Sequence, residues 1–336
     1  MFDDKSILVT GGTGSFGRRF IKTISENYKP RRLIVFSRDE YKQSVMQGHY
    51  DHPSLRYFLG DIRDRERLMQ AMEDVDIVVH AAALKQVPAL EYNPSEAVKT
   101  NINGTQNVVD AALANNVAKV IALSTDKAAA PVNLYGATKL AAEKLALSAN
   151  NVAGKRRTRV SVVRYGNVIG SRGSVIPLFQ ELRDKGADEL TITDDKMTRY
   201  LMTLQQSVDF VTSCAARMWG GETFIPKIPS ATIGTIADAV APGMKTRIIG
   251  IRPGEKLHEV LCLPDVAHQT IEFDRHYVVK PSFTFRNIDV DYLTSANGET
   301  GTPVEEDFSY TSLNNDHYVT PEELRGIIDD AMPFDA

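Results

Sequence analysis

At 336 residues with 43% hydrophobic content, the chain is long enough for one large or two modest domains with a full core. A net charge of −4, with Lys155-Arg156-Arg157 as the one basic cluster, offers nothing to nucleic acid, and no apolar run reaches the ~18–20 residues of a bilayer span. Two distant cysteines, Cys214 and Cys262, and seven His outside any metal-ligand spacing argue against a disulfide scaffold or a metal site; with no signal peptide before the first strand, a cytoplasmic protein without membrane or nucleic-acid partners is expected.

Ser6-Ile7-Leu8-Val9-Thr10 reads as a short buried strand. Gly11-Gly12-Thr13-Gly14-Ser15-Phe16-Gly17 follows, then the helical spacing of Phe20, Ile21 and Ile24. Strand, glycine turn and helix start form a dinucleotide fingerprint. Gly11 permits the tight turn, Gly14 lets backbone approach a pyrophosphate, and Gly17 lets helix and strand pack closely. The pyrophosphate is expected at the helix N-terminus, where free N–H groups point outward.

The second strand, Arg32 to Phe36, ends in Ser37-Arg38-Asp39-Glu40 about 20 residues on, where an adenine ribose is read. Arg38 and Lys42 there favour NADP over NAD. A third strand over Tyr57-Phe58-Leu59 runs into Gly60-Asp61-Ile62, beside the expected adenine. A fourth, Asp76 to His80, ends in Ala81-Ala82-Ala83, small residues that leave room for a cofactor. His80 reads as a satisfied strand-end histidine. A fifth, Lys119 to Ser124, delivers the loop Thr125-Asp126-Lys127. Strands alternating with helical stretches predict an α/β protein with a doubly wound parallel sheet, and this loop then lies at the strand ends that bind ligands.

Next comes Asn133-Leu134-Tyr135-Gly136-Ala137-Thr138-Lys139. Tyr135 and Lys139 lie four apart and share a helix face, so the ammonium can lower the phenol's pKa and make it a base. Tyr-x-x-x-Lys alone is a weak signal in a chain with 12 Tyr. Its place after a fifth strand makes it stronger, and Asp126 and Lys127 add proton carriers that hydride transfer alone does not need.

After about residue 170 the segments shorten and gain Pro and Gly, as in Gly170-Ser171-Arg172-Gly173-Ser174, Pro226-Lys227-Ile228-Pro229 and Arg252-Pro253-Gly254-Glu255-Lys256. The expected organisation is a dinucleotide-binding domain over residues 1–169 with a return near 202–225. A smaller C-terminal substrate domain takes 170–201 and 226–336.

Together these motifs resemble the extended short-chain dehydrogenase/reductase family. Within it they are similar to the inverting UDP-N-acetylglucosamine 4,6-dehydratases of pseudaminic acid biosynthesis. The resemblance runs from the glycine turn to His258-Glu259. It includes Lys85-Gln86-Val87-Pro88, Arg164 to Val168, Met197-Thr198-Arg199 and Ile251 to Lys256. The similar dTDP-glucose 4,6-dehydratases carry Asp-Glu in place of Asp126-Lys127, and membrane-bound relatives carry Met in place of Tyr135. The resemblance implies that Tyr135, held as a phenolate by Lys139, takes the 4-hydroxyl proton while hydride leaves C4 for a tightly bound NADP that is regenerated each cycle. Lys127, neutral for this step, would remove the C5 proton, Asp126 would protonate the departing 6-hydroxyl, and Thr125 would bond near O4. Arg199 and Arg252 are implied at the pyrophosphate, Glu255 at the uridine ribose, and Asn167 and Lys85 at the sugar phosphate and cleft. A homo-oligomer, up to a hexamer, is implied as well. A 4-epimerase, a retaining dehydratase and a non-enzymatic nucleotide sensor are the other readings.

Overall fold

The computed structural model describes residues 1–171, 174–283 and 290–331; Arg172 and Gly173 of the glycine-rich stretch above lie outside it. Its centre is a parallel array of β1 (Ser6–Thr10), β2 (Arg32–Ser37), β3 (Leu55–Leu59), β4 (Ile77–His80), β5 (Lys119–Thr125) and β6 (Arg159–Tyr165). The order is β3-β2-β1-β4-β5-β6, with the direction of winding reversing between β1 and β4. Ligand sites in such sheets lie outside the carboxyl ends of the strands at that reversal.

Helices cover both faces, so the strands read as continuous apolar runs rather than alternating ones. Successive side chains still divide between the faces. Ile7 and Val9 join Ile21 and Ile24 of helix α1 (Ser15–Asn27) and Val208 and Val211 of the helix Leu204–Arg217. Leu8, Ile34 and Val78 meet Leu68, Val108 and Ala146 from helices on the other side. Residues 6–165 supply the six parallel strands, and the helix Leu204–Arg217 packs against them. Strand Thr223–Pro226 lies parallel beside β6, with Phe224 opposite Val163.

The expected domain boundary needs one correction. Thr270–Glu272, His276–Val279 and Thr302–Pro303, assigned above to the smaller domain, extend the main sheet to ten strands by antiparallel pairing. Buried Val278 and Ile271 cover an edge that Thr223–Pro226 would otherwise leave open. These runs are too short for a periodic signal.

The smaller unit has its own core of Phe179, Leu190, Ile236, Val240, Leu324 and Ile328. The last two come from helix Pro321–Ala331, so a stretch without a usable motif supplies packing. A three-stranded sheet of Asn167–Val168, Thr198–Met202 and Ser230–Thr232 starts directly after β6 and ties this unit to the main sheet.

Candidate active site

The glycine turn has the shape its sequence requires. Gly11 takes φ +67°, the left-handed region, and a Cβ there would stand 2.9 Å from the Ala82 nitrogen. A Cβ on Gly17 would overlap the Gly11 carbonyl oxygen and the backbone of Gly12. Gly14 caps α1 with no side chain, and no acid sits in the first turn. Free N–H groups and the positive end of the helix dipole therefore meet whatever enters. What they meet is a cavity of about 420 Å³ lined by Gly11, Gly14, Ser15, Phe16 and Gly17 on this side and by Ala81, Ala83 and Lys85 after β4. A bare backbone cradle below small alanines fits a nicotinamide dinucleotide. Thr13 is buried in the turn, and Ala82 anchors the wall by donating its N–H to Thr10 Oγ1 at 3.3 Å.

The nucleoside end is less open than expected. Ser37 Oγ accepts from Gln43 Nε2 at 3.0 Å, Lys42 Nζ is 2.7 Å from Asp39, and Arg38 is 3.6 Å from Asp61. Asp61 is held more tightly by Arg63, at 2.7 Å. Its carboxyl faces a burial cost, but the Arg63 hydrogen bonds and charge outweigh this and lower its pKa. Ile62 is buried against Gly104 and packs in the core rather than on the cavity. Asp61 is engaged by Arg63 and Ile62 by Gly104 at the start of the helix Gly104–Ala114, and neither is among the residues lining this cavity.

The opposite wall carries the titratable groups. β5 ends at Thr125, and Asp126–Ala128 forms a single tight turn. Thr125 Oγ1 donates to Asp126 Oδ1 at 2.8 Å and accepts from the Lys127 amide at 3.3 Å, which fixes the turn. Asn133 then caps the long helix Leu134–Val152, accepting from the Gly136 amide at 2.8 Å. Gly136 lies so close to the turn that a Cβ would overlap the Lys127 carbonyl oxygen. That contact brings Tyr135 beside Asp126 and Lys127, and all three line the cavity together with Thr125, Lys139, Tyr165 and Asn167.

Two of the charged groups bear on the implied mechanism. Lys139, implied to support a Tyr135 phenolate, bonds to the backbone. Its ammonium donates to the Leu123 carbonyl at 2.7 Å, and burial pulls its pKa down to about 8. Burial pushes the Tyr135 hydroxyl up to about 12, although the Lys127 charge and a Thr125 hydrogen bond favour its anion. Lys127, implied to be neutral for the C5 step, sits among acids that favour its charged form. Burial disfavours its charge, but Asp126 at 3.0 Å and Glu259 at 3.3 Å outweigh this and hold it above the usual lysine range. His80 is the satisfied histidine expected, bonded to Thr10 at 2.7 Å and Thr105 at 3.0 Å; burial and the Lys139 charge depress it to about 3.

Of the substrate candidates, Asn167 and Lys85 line the cavity. Asn167 Oδ1 is 3.5 Å from Lys127 Nζ, and burial followed by the Lys127 charge lowers the Lys85 pKa. Arg199 is buried behind the cavity, 3.7 Å from Glu259, with its guanidinium on the Thr198 carbonyl at 2.7 Å. Arg252 and Glu255 lie outside the lining, 3.9 Å from each other, with the Arg252 side chain 55% exposed. Their loop is tied to the helix Leu134–Val152 by Asn133, which donates to the Gly254 carbonyl at 2.7 Å. Gln86, Ser124 and Tyr165 line the cavity and were not singled out from sequence; each stands next to or within a motif that was. Among the described residues no His, Cys, Asp and Glu cluster could hold a metal, and no helix is long and apolar enough to cross a membrane.

Comparison with known proteins identifies the family. A family profile described as polysaccharide biosynthesis protein matches residues 7–281. An inverting UDP-N-acetylglucosamine 4,6-dehydratase from Campylobacter jejuni is 54% identical, covering 99% of this chain and 100% of that protein. A UDP-glucose 4-epimerase from Rickettsia felis is 47% identical over 78% of each chain. Among solved structures, Pen from Bacillus thuringiensis superposes with a TM-score of 0.88 at 38% identity, over 98% of both chains. The chain therefore belongs to the polysaccharide biosynthesis protein family, as a full-length relative of the inverting UDP-N-acetylglucosamine 4,6-dehydratases on an extended short-chain dehydrogenase/reductase fold.

Proposed function

We propose that this chain is an inverting UDP-N-acetylglucosamine 4,6-dehydratase that works with NADP. The observation that carries the reading is the Asp126–Lys127 pair, 3.0 Å apart in the same cavity as Tyr135 and Lys139. A 4-epimerase works at C4 alone and has no use for an acid and a base at C6 and C5.

A bound nicotinamide dinucleotide would be held by the Gly11–Gly17 turn and the alanines after β4, and would supply hydride acceptance and return. Tyr135 takes the 4-hydroxyl proton, with Thr125 and Lys127 supporting its anion against burial. The new 4-ketone acidifies the C5 proton. The pair shares one proton between two groups, with Lys127 Nζ 3.0 Å from Asp126 and 3.3 Å from Glu259. Moving one proton from Lys127 Nζ to Asp126 Oδ1 gives an amine and an acid with no change in net charge. The amine then removes the C5 proton while Asp126 gives its proton to O6. The C6–O bond breaks, water leaves, and the pair is back in its resting state. Such positioned proton transfers contribute about 10²–10⁴-fold each. Reprotonation of C5 from the opposite face inverts that centre, and the proton that Tyr135 took from O4 balances it and returns Tyr135 to its starting state.

NADP preference rests on Arg38 and Lys42. Their acid partners are exposed pairs, of the kind that contribute little and yield to a 2′-phosphate. Arg252 suits the substrate pyrophosphate by its planar guanidinium, and Arg199 supports the same wall from behind. The family resemblance supports a homo-oligomer in the cytoplasm, supplying pseudaminic acid synthesis.

Proton NMR of UDP-N-acetylglucosamine in D2O with the purified protein tests this. A new C6 methyl, deuterium at C5 and an L-arabino coupling pattern are expected. The Rickettsia felis relative favours a second reading, 4-epimerisation, which would instead give a galacto product with its C6 hydroxymethyl intact.

A further inference from the structure

A buried carboxylate from the C-terminal part of the chain meets the Asp126–Lys127 pair. Glu259 is 2% exposed and immediately precedes the strand Val260–Cys262. Its backbone is clamped: its N–H donates to Ser312 Oγ at 2.9 Å, and its carbonyl accepts from the Ser312 amide at 2.8 Å. Ser312 Oγ is in turn 2.7 Å from Thr198 Oγ1. The side chain reaches across to Lys127 Nζ at 3.3 Å, while its other oxygen, Oε2, is buried with no hydrogen-bond partner among the described residues. A buried carboxylate with an unsatisfied oxygen costs stability, so packing alone does not account for it.

We infer that Glu259 is a positioning residue for Lys127, one that holds the amine in the cavity and sets the proton inventory of the Asp126–Lys127 pair. This rests on reading that pair as the acid and base of the dehydration. The charges form an alternating chain, Asp126, Lys127, Glu259 and Arg199, with separations of 3.0, 3.3 and 3.7 Å. Other groups acting on Lys127 or its partners include Lys85, Lys256, Tyr135, Tyr200 and His258, the last bonded to Thr198 and facing Arg199. Three of the cations, Arg199, Lys85 and Lys256, oppose the Lys127 charge or sit near its counter-ions. Without Glu259, Asp126 alone would balance them. Interacting groups titrate as a unit. Removing one negative charge therefore makes every protonation of the pair harder, and both limbs of a bell-shaped pH profile move toward acid.

The test is the pH dependence of dehydration by cofactor-loaded wild type, Glu259→Gln and Glu259→Asp, followed as C6-methyl product. Glu259→Gln is expected to shift the profile by about 1–2 pH units toward acid. Its kcat at the wild-type optimum should fall about tenfold or more, with KM for UDP-N-acetylglucosamine little changed. Glu259→Asp keeps the charge but shortens the reach, so its profile should fall between the two. It also answers the question if the Gln variant does not fold. An unshifted profile in the variants, or a rise in KM with kcat and profile intact, overturns the inference. Wild-type protein that forms no C6-methyl product overturns the dehydratase reading instead, and the inference with it.

Discussion

The two ends of the cavity are built in different ways. The glycine end comes from one short stretch, Gly11 to Gly17, whose parts are covalently close and whose backbone conformation shapes the wall. The chemical end is assembled from β5, the turn after it, the helix Leu134–Val152, Asn167 beyond β6, and Glu259 from the C-terminal part of the chain. The first is a matter of local shape. The second depends on charges that meet only when distant parts of the chain are in place. Changes at the first end should therefore act on folding and cofactor affinity, and changes at the second on turnover and its pH dependence.

The largest expected effect breaks the second end. Lys127→Ala should lower dehydration by about 10²–10⁴-fold, read as C6-methyl formation, while dinucleotide affinity stays near wild type. Dehydration left nearly intact would remove Lys127 from the mechanism and reduce its contacts with Asp126 and Glu259 to a structural ion-pair cluster.

At the first end, Gly17→Val should cost several kcal/mol of stability or prevent folding, because its side chain would overlap the Gly11 and Gly12 backbone. A melting temperature equal to wild type would mean that the helix start is looser than its packing requires.

Lys139→Met separates stability from chemistry. Burial lowers the folded pKa of Lys139 from 10.5 to about 8. The unfolded chain therefore binds the extra proton between those values, and folding is penalised at neutral pH and below. That penalty falls as pH rises through about 8 to 10.5. The variant should lose turnover yet gain on the order of 1–3 kcal/mol at pH 7, less the lost bond to Leu123, with the gain shrinking as pH approaches 10.5. Denaturant melts at pH 7 and 10 check this; a gain that grows with pH would contradict the sign.

The mildest expectation concerns Arg252. Arg252→Glu should raise KM for the sugar nucleotide by about tenfold or more while kcat changes little. Unchanged KM would place the pyrophosphate elsewhere.

Much of the architecture is legible in the chain itself. β1, the glycine turn and α1 follow from apolar runs and glycines whose roles are steric and local, and the Tyr135–Lys139 spacing follows from helix geometry. The sequence also places Asp126 and Lys127 at a strand end, since a parallel strand must deliver its next loop there. Only the tertiary structure decides their protonation. Whether Lys127 is an amine or an ammonium depends on Glu259, which lies 132 positions away in the chain. Likewise the burial of Tyr135, the redirection of Lys139 to the Leu123 carbonyl and the pairing of Asp61 with Arg63 are through-space facts. Backbone conformation is governed by neighbours in sequence, which a reader of residues can see. Proton affinity is governed by desolvation and by charges a few ångströms away, and those distances exist only in the folded protein.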